Sequence, residues 1–75
     1  MTPYKNPEGH SGVAAYRIGR DYIDVEFAGG DIYRYTSASA GRTHLAIMKK
    51  LARAGQGLST FISQAVRDGY ESKQP

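Results

Sequence analysis

The stretch Tyr22–Tyr35, YIDVEFAGGDIYRY, constrains the fold more strongly than any other part of the chain. Its first arm alternates apolar and acidic residues in the order Ile23, Asp24, Val25, Glu26 and Phe27. Such alternation is typical of a strand in a sheet that has one buried face and one solvated face. The two glycines that follow, Gly29 and Gly30, favour a hairpin turn. The stretch therefore predicts two antiparallel strands, with the acidic residues facing solvent.

The second arm, Ile32–Thr36, can pair with the first in two ways that depend on the length of the loop. A three-residue loop pairs Phe27 with Tyr33 and Val25 with Tyr35 on the core face. A two-residue loop turns the second arm over and leaves both tyrosines among the acidic residues. We prefer the first register, because it places large aromatic side chains opposite apolar partners. Both tyrosines are then predicted to be structural.

Shorter patterns on the N-terminal side of the hairpin extend the predicted sheet. Gly12–Ile18 fits an edge strand, with its more apolar set, Ala14, Tyr16 and Ile18, facing inward. Residues 19–21 would then form a tight turn into the central strand. This segment therefore predicts the first strand of a meander.

Two short helices are predicted in the C-terminal half. Residues 43–54 carry apolar side chains at three- and four-residue spacing, namely Leu45, Met48, Leu51 and Ala52. Ser39 or Thr43 fits the N-cap of this helix, and Gly55 fits its C-terminal end. After Leu58 and Ser59, which fit a hydrophobic staple and an N-cap, residues 60–68 predict the second helix. Its apolar face would consist of Phe61, Ile62, Ala65 and Val66.

Together these elements predict an α+β fold, a three-stranded antiparallel meander followed by two short helices packed on one sheet face. The domain would span residues 12–70. Residues 1–11 would form a flexible N-terminal tail, in which Tyr4 can dock locally, and residues 71–75 a frayed C-terminal end.

Length and composition exclude several classes of protein. A chain of 75 residues suffices for one small domain. The absence of cysteine excludes disulfides, thiolate metal sites and thiol catalysis. No apolar run approaches the roughly 18–20 residues of a transmembrane helix, and the first residues lack the apolar core of a secretory signal. We therefore expect a cytoplasmic protein with no membrane partner.

The titratable residues do not form a pattern that predicts catalysis. The histidines are His10, in the expected tail, and His44, in the first turn of a helix. Strand alternation explains Asp24 and Glu26, and no cluster has the spacing of metal ligands. The glycines at 29–30 and 55–57 match neither a Walker nor a dinucleotide motif. The sequence predicts no enzyme, no metal, no cofactor and no small-molecule substrate.

The distribution of charge points to a polyanionic partner. Residues 1–31 sum to −2 and residues 32–75 to +5, with no acidic residue between Asp31 and Asp68. On the first predicted helix, Lys49, Lys50 and Arg53 share one side, and Arg42 precedes them. Such a basic stripe can bind phosphate groups without recognising the base sequence of a nucleic acid. The alternative is an ordinary solvated helix face.

The tyrosines are a second candidate surface. Tyr16, Tyr22, Tyr33 and Tyr35 lie on predicted strands, and Arg34 stands between the last two. Exposed aromatic rings beside an arginine can stack the bases of single-stranded nucleic acid. The alternative is that these tyrosines fill a small core and project their hydroxyl groups to its rim.

The order of these blocks resembles the KTSC domain family. The resemblance covers about residues 11–73 and rests on Tyr33-Arg34-Tyr35 after a D-x-V-x-F strand and a glycine turn, followed by SAG, MKKLARAG and GLSTFISQAVRDGY. Ala38 and Ser39 stand where family members often have Val-Pro. The resemblance implies a small non-catalytic domain, found at the C-terminus of some lysyl-tRNA synthetases and as stand-alone bacterial or phage proteins. That context implies RNA binding by association only.

Two functions from different classes follow. The first is non-specific binding of RNA or another nucleic acid by Arg42, Lys49, Lys50 and Arg53, with Arg34 as a further candidate. The second is interaction with a protein partner or with a second copy of the chain. For that function an edge strand, Gly12–Ile18 or Ile32–Thr36, would pair with a strand of the partner.

Overall fold

The computed structural model describes residues 1–5 and 12–74 of the chain. Within these residues, five antiparallel strands form one sheet in their order along the chain. The strands are β1 (Thr2–Pro3), β2 (Val13–Ile18), β3 (Tyr22–Phe27), β4 (Ile32–Thr36) and β5 (Ser72–Gln74). Between β4 and β5 lie the helices α1 (Ser37–Ala40), α2 (Arg42–Ala54) and α3 (Leu58–Phe61), the last continued by a π-helical turn at Ile62–Val66. The α+β class is confirmed, and the predicted three-stranded meander is the centre of a wider sheet.

The β3–β4 hairpin has the predicted faces but not the predicted pairs. Val25 lies opposite Tyr33, and Ile23 lies opposite Tyr35. The observed register is shifted by two residues from the preferred one. Because side chains alternate with a period of two, such a shift exchanges partners and leaves every side chain on the same face. Both tyrosines therefore point toward the core, and Tyr35 is fully buried.

An irregularity in β2 overturns part of its predicted orientation. The register between β2 and β3 shifts between Val13 and Ala15, which leaves Ala14 as an extra residue, and Ala14 is exposed. Because a bulge interrupts the alternation, Val13 joins the core, although the sequence predicted that it faces outward. Tyr16, opposite Val25, stays on the predicted core face.

Both ends of the described chain join the sheet, which the sequence did not predict. β1 pairs with Ala15 and Tyr16 of β2, and β5 pairs with residues 32–34 of β4. Tyr4 is buried, and its hydroxyl oxygen accepts a hydrogen bond from the backbone N–H of Leu58 at 3.2 Å. The predictions of a flexible tail at residues 1–11 and of a frayed end at residues 71–75 are therefore wrong for the residues that pair in β1 and β5. Residues 6–11 and 75 lie outside the described part.

The helical layer begins earlier than predicted. Thr36 caps α1 in a capping box with Ser39, in which each side chain bonds the backbone N–H of the other residue. Gly41, not Ser39 or Thr43, stands at the N-cap of α2. Gly55 ends α2 in the left-handed conformation at φ 76°, as predicted. Gly57 precedes α3, so Leu58 is its first helical residue and not a staple before the cap.

The core lies between the sheet and the helices. Its sheet side includes Val13, Ile23, Val25 and Tyr35, and its helix side includes Leu45, Met48, Ala52, Leu58, Ile62 and Val66. Tyr70 packs back against Tyr33 and Tyr35, with ring centroids 4.8 and 6.3 Å apart. Within residues 1–5 and 12–74, no helix has both the length and the apolar character needed to cross a membrane.

The burial of Tyr35 makes the free energy of unfolding depend on pH in the alkaline range. Burial raises the pKa of Tyr35 to about 12, with smaller contributions from Tyr33 and Tyr70. In the unfolded chain a tyrosine ionises near its ordinary pKa of about 10. Between these two pKa values the tyrosine is ionised in the unfolded chain but still protonated in the folded protein. The free energy of unfolding therefore falls as pH rises, by up to about 3 kcal/mol.

We expect Tyr35→Phe to remove this contribution. Urea denaturation from about pH 9 to about pH 11.5 should show a shallower loss of unfolding free energy in the variant than in the wild type. Equal slopes for the two proteins would contradict the assignment to Tyr35.

Candidate functional site

Arg34 is engaged by neighbouring residues of the sheet, although its side chain is 40% exposed. It lies opposite Asp24 on the face of the sheet that points away from the helices. Its Nε and Nη2 atoms donate to the two carboxylate oxygens of Asp24 at 2.7 and 3.0 Å. The guanidinium group also lies over the ring of Tyr22, 4.0 Å from the centroid. Such a bidentate, stacked arrangement suits arginine and fixes its orientation.

Gly19 explains why the ring of Tyr22 lies flat on the sheet. A Cβ atom at Gly19 would come within 2.0–2.6 Å of three ring carbons of Tyr22. The ring therefore occupies the space that a side chain would fill. Tyr22 lies between Gly19 and Arg34, so the base-stacking role considered for it is not supported by this arrangement.

The same cluster corrects the prediction that Asp24 faces solvent. Asp24 is 4% exposed, because Arg34 covers it, while Glu26 is half-buried. The hydrogen bond to Asp24 is the main cause that raises the pKa of Arg34. The pairing of a buried carboxylate with a bidentate guanidinium group gives a structural reason for the residue types of Asp24 and Arg34. Asp24 and Arg34 therefore neutralise each other on the outer face.

Lys49 also has a structural partner. Its Nζ atom donates to the backbone carbonyl oxygens of Gly19 at 3.0 Å and Arg20 at 2.9 Å. The two carbonyl groups belong to the turn between β2 and β3, so Lys49 ties α2 to that turn. The sequence grouped Lys49 with Lys50 and Arg53, but Lys49 is half-buried and the other two are exposed.

The remaining basic residues of α2 lie at its two ends. Arg42 is exposed in the first turn, whereas Lys50 and Arg53 are exposed near the last. Eleven residues separate Arg42 from Arg53, which is about 16 Å along a helix axis. The predicted stripe is therefore not one continuous surface. Lys50 and Arg53 are three residues apart and are neighbours on the helix surface.

A depression brings Arg53 together with a residue that the sequence did not single out. Arg53 of α2 and Arg17 of β2 line an open depression of about 570 Å³, which we call the α2–β2 depression. Its other described lining residues are Met1, Thr2, Tyr16 and Ile18. None of these described residues is acidic. The sequence pattern does not single out Arg17, because its place in the same depression as Arg53 depends on how α2 crosses the sheet.

Other cations lie near the same end of α2. The side chain of Lys5 packs over Gly55, where an added Cβ would come within 2.5 Å of the Cβ of Lys5. Because the C-terminal end of a helix carries partial negative charge, Arg53 and Lys5 complement it there. We call Arg17, Lys50 and Arg53 the basic surface, and Lys5 lies close to it.

A second concavity, the β4 groove, is lined by aromatic rings. It measures about 470 Å³, and its lining includes Phe27, Tyr33, Tyr35, Ile62 and Tyr70. The rings of Phe27 and Tyr33 meet edge to face at 5.3 Å, and Tyr33 meets Tyr70 in the same way. Asp31, Arg67 and Asp68 also line the groove, so its charge is mixed. Asp31 faces Lys73 at 3.6 Å. The groove therefore lacks the uniform positive charge of the basic surface.

His44 is used in packing. Its Nδ1 atom donates to the carbonyl oxygen of Ala40 at 2.9 Å, and its ring meets Phe61 edge to face at 5.8 Å. Among residues 1–5 and 12–74, no group of three or more His, Cys, Asp and Glu side chains could hold a metal ion. His10 lies outside the described residues.

Comparison of the chain with protein-family models, curated proteins and solved structures gives no match. The resemblance to the KTSC domain family therefore stays a prediction.

We expect Arg34→Leu to destabilise the fold through Asp24. The substitution leaves a buried carboxylate without its partner, which costs about 1–3 kcal/mol of unfolding free energy. Adding Asp24→Leu should recover part of that loss, because replacing both members of a buried pair is often near neutral. Urea denaturation of the two variants measures the difference. A double variant less stable than Arg34→Leu would contradict the pairing.

Lys49→Met should likewise act on stability. Loss of the two bonds to the β2–β3 turn should lower the unfolding free energy by about 1–2 kcal/mol. Lys50→Met is the matched control on the adjacent exposed position and should change it by less than about 0.5 kcal/mol. Equal effects in thermal or urea unfolding would show that Lys49 does not hold the turn.

Proposed function

We propose that this protein is a small non-catalytic module that binds RNA or another nucleic acid through its phosphates, using Arg17, Lys50 and Arg53. The observation that carries the proposal is the convergence of Arg17 and Arg53 on one depression with no acidic residue among its described lining. Positive charges placed close together repel each other unless a counterion neutralises them. A phosphate backbone supplies such counterions.

The side chains suit this ligand. Arginine presents a planar fork of N–H donors that matches phosphate oxygens, and lysine adds a mobile point charge. All three residues are exposed, and no described salt bridge involves them. They come from a strand and a helix, so the fold holds them in position without a ligand. This supports contact with a backbone of repeated phosphates and predicts little preference for sequence.

The proposal changes the residue set that the sequence suggested. Arg34 and Lys49 are engaged with Asp24 and with the β2–β3 turn, and Arg42 lies at the far end of α2. Arg17 enters in their place. The proposed ligand class is unchanged, and RNA is the member that the KTSC resemblance suggests.

Binding should be weak and strongly dependent on salt. Non-specific complexes of this kind have dissociation constants of roughly 10⁻⁴–10⁻⁶ M. Three phosphate contacts on a single strand predict a slope of about −2 for log K against log salt concentration. Fluorescence anisotropy with a labelled oligonucleotide of mixed sequence measures both quantities.

A charge-reversal pair tests the surface. Lys50→Glu with Arg53→Glu should weaken binding by more than about tenfold, because it replaces two phosphate contacts with repulsion. The matched control is Arg42→Glu with Arg67→Glu, which makes the same change in net charge at two exposed positions outside the basic surface. Equal losses in the two double variants, or no binding at low salt, would refute the proposal.

Interaction with a protein partner is the second candidate, and the strands first considered for it need correction. β1 and β5 pair with the outer sides of β2 and β4, so Gly12–Ile18 and Ile32–Thr36 are not free edges over those residues. The edges of the described sheet are β1 and β5, and both are exposed. A self-association role at these edges predicts a concentration-dependent mass by size-exclusion chromatography that tolerates salt, unlike nucleic-acid binding.

A further inference from the structure

We infer that the α2–β2 depression receives an unpaired nucleobase, so that the ligand is a single strand and not a duplex. The inference rests on the proposed function, because it places the base beside phosphates that the basic surface holds. It goes further in naming the strandedness of the ligand and the residue that contacts the base, Tyr16.

The depression is open, and its size is comparable to that of ligand pockets. Its volume of about 570 Å³ lies within the usual range for ligand pockets. Tyr16 and Ile18 are half-buried and lie on the core face of β2, opposite Val25 and Ile23. Met1 is 44% exposed and lines the same space. Three apolar or aromatic side chains in one open depression are surface that an occupant would remove from water.

The topology explains why the depression exists. β1 begins opposite Tyr16, so β2 continues past its outer neighbour through Arg17 and Ile18. Lys49 ties α2 to the turn that follows β2. One turn later along α2, Arg53 lines the gap left by β1. The walls that β2 and α2 contribute are therefore regular elements tied together by hydrogen bonds.

The arrangement of charge and ring selects a nucleotide among possible occupants. Arg17 lies opposite Asp24 in the β2–β3 pairing, but Arg34 already binds the Asp24 carboxylate. The guanidinium groups of Arg17 and Arg53 therefore stay available to a phosphate, and the ring of Tyr16 in the same lining offers a surface on which any base can stack. A duplex keeps its bases stacked in pairs and presents phosphates at its surface, so it would leave the apolar lining exposed. The β4 groove is a poorer site for this ligand, because Asp31 and Asp68 line it.

Four probes of comparable charge separate the base from the phosphate contribution: oligo(rU), oligo(dT), a hairpin duplex of mixed sequence and inorganic polyphosphate. We expect the wild-type protein to bind both single strands about tenfold more tightly than the hairpin or polyphosphate at the same salt concentration. The two single strands should bind similarly, since both offer phosphates and a base face that can stack on a ring.

Tyr16→Leu tests the base contact while keeping an apolar side chain. We expect about a tenfold loss for oligo(rU) and no change for polyphosphate. Tyr33→Leu is the matched control, a half-buried tyrosine on the same sheet face that lines the other groove. NMR of the wild-type protein provides a measurement that needs no variant. Oligo(rU) should shift the Tyr16 ring and Ile18 methyl signals, and polyphosphate should not.

The outcomes separate this inference from the proposed function. If the hairpin or polyphosphate binds as tightly as oligo(rU), or if Tyr33→Leu causes the loss in place of Tyr16→Leu, the base does not occupy this depression, and phosphate binding by the basic surface still stands. If none of the four probes binds at low salt, both proposals fail.

Discussion

The pairing of β3 with β4 is the interaction on which the rest of the structure depends. One register sets both faces of the sheet at once. On the inner face it places Ile23 and Val25 opposite Tyr35 and Tyr33, and the helices close over them. On the outer face it places Asp24 opposite Arg34, which buries the carboxylate under the guanidinium group. A shift by one residue would bury the charges and expose the core, so both faces exclude it.

This pairing also decides which cations remain for a ligand. Arg34 neutralises a carboxylate, and Lys49 completes the turn that leads into β3. Lys50 and Arg53 remain exposed near the end of α2, and Arg53 lines a depression together with Arg17 of β2. A count of basic residues along the helix therefore overstates its free charge. The useful quantity is the set of cations left after the fold has satisfied its own carboxylates and carbonyl groups.

The errors of prediction share one physical origin. The alternation of apolar and polar residues correctly assigned the faces of β3 and β4. It could not determine which residues pair across the hairpin, because a register shift of two residues leaves every side chain on the same face. It assigned Asp24 to solvent, because a lone strand carries no information on the residue across from it. A bulge at Ala14 places Val13 on the core face and not on the predicted outer face, and no residue type in that segment predicts a bulge. Short segments at both ends had too little pattern to predict β1 and β5.

Local chemistry, which the sequence carries in full, determined the element types: the hairpin at Gly29 and Gly30, the apolar face of α2 and its end at Gly55. These depend on spacing and backbone preference within a few residues. Only the tertiary structure decided which basic side chains are engaged, that Arg17 and Arg53 line one depression, and that this depression opens beside Tyr16 where β1 ends. Those features join residues ten or more positions apart, and their geometry depends on how the strands pair and how the helices cross the sheet.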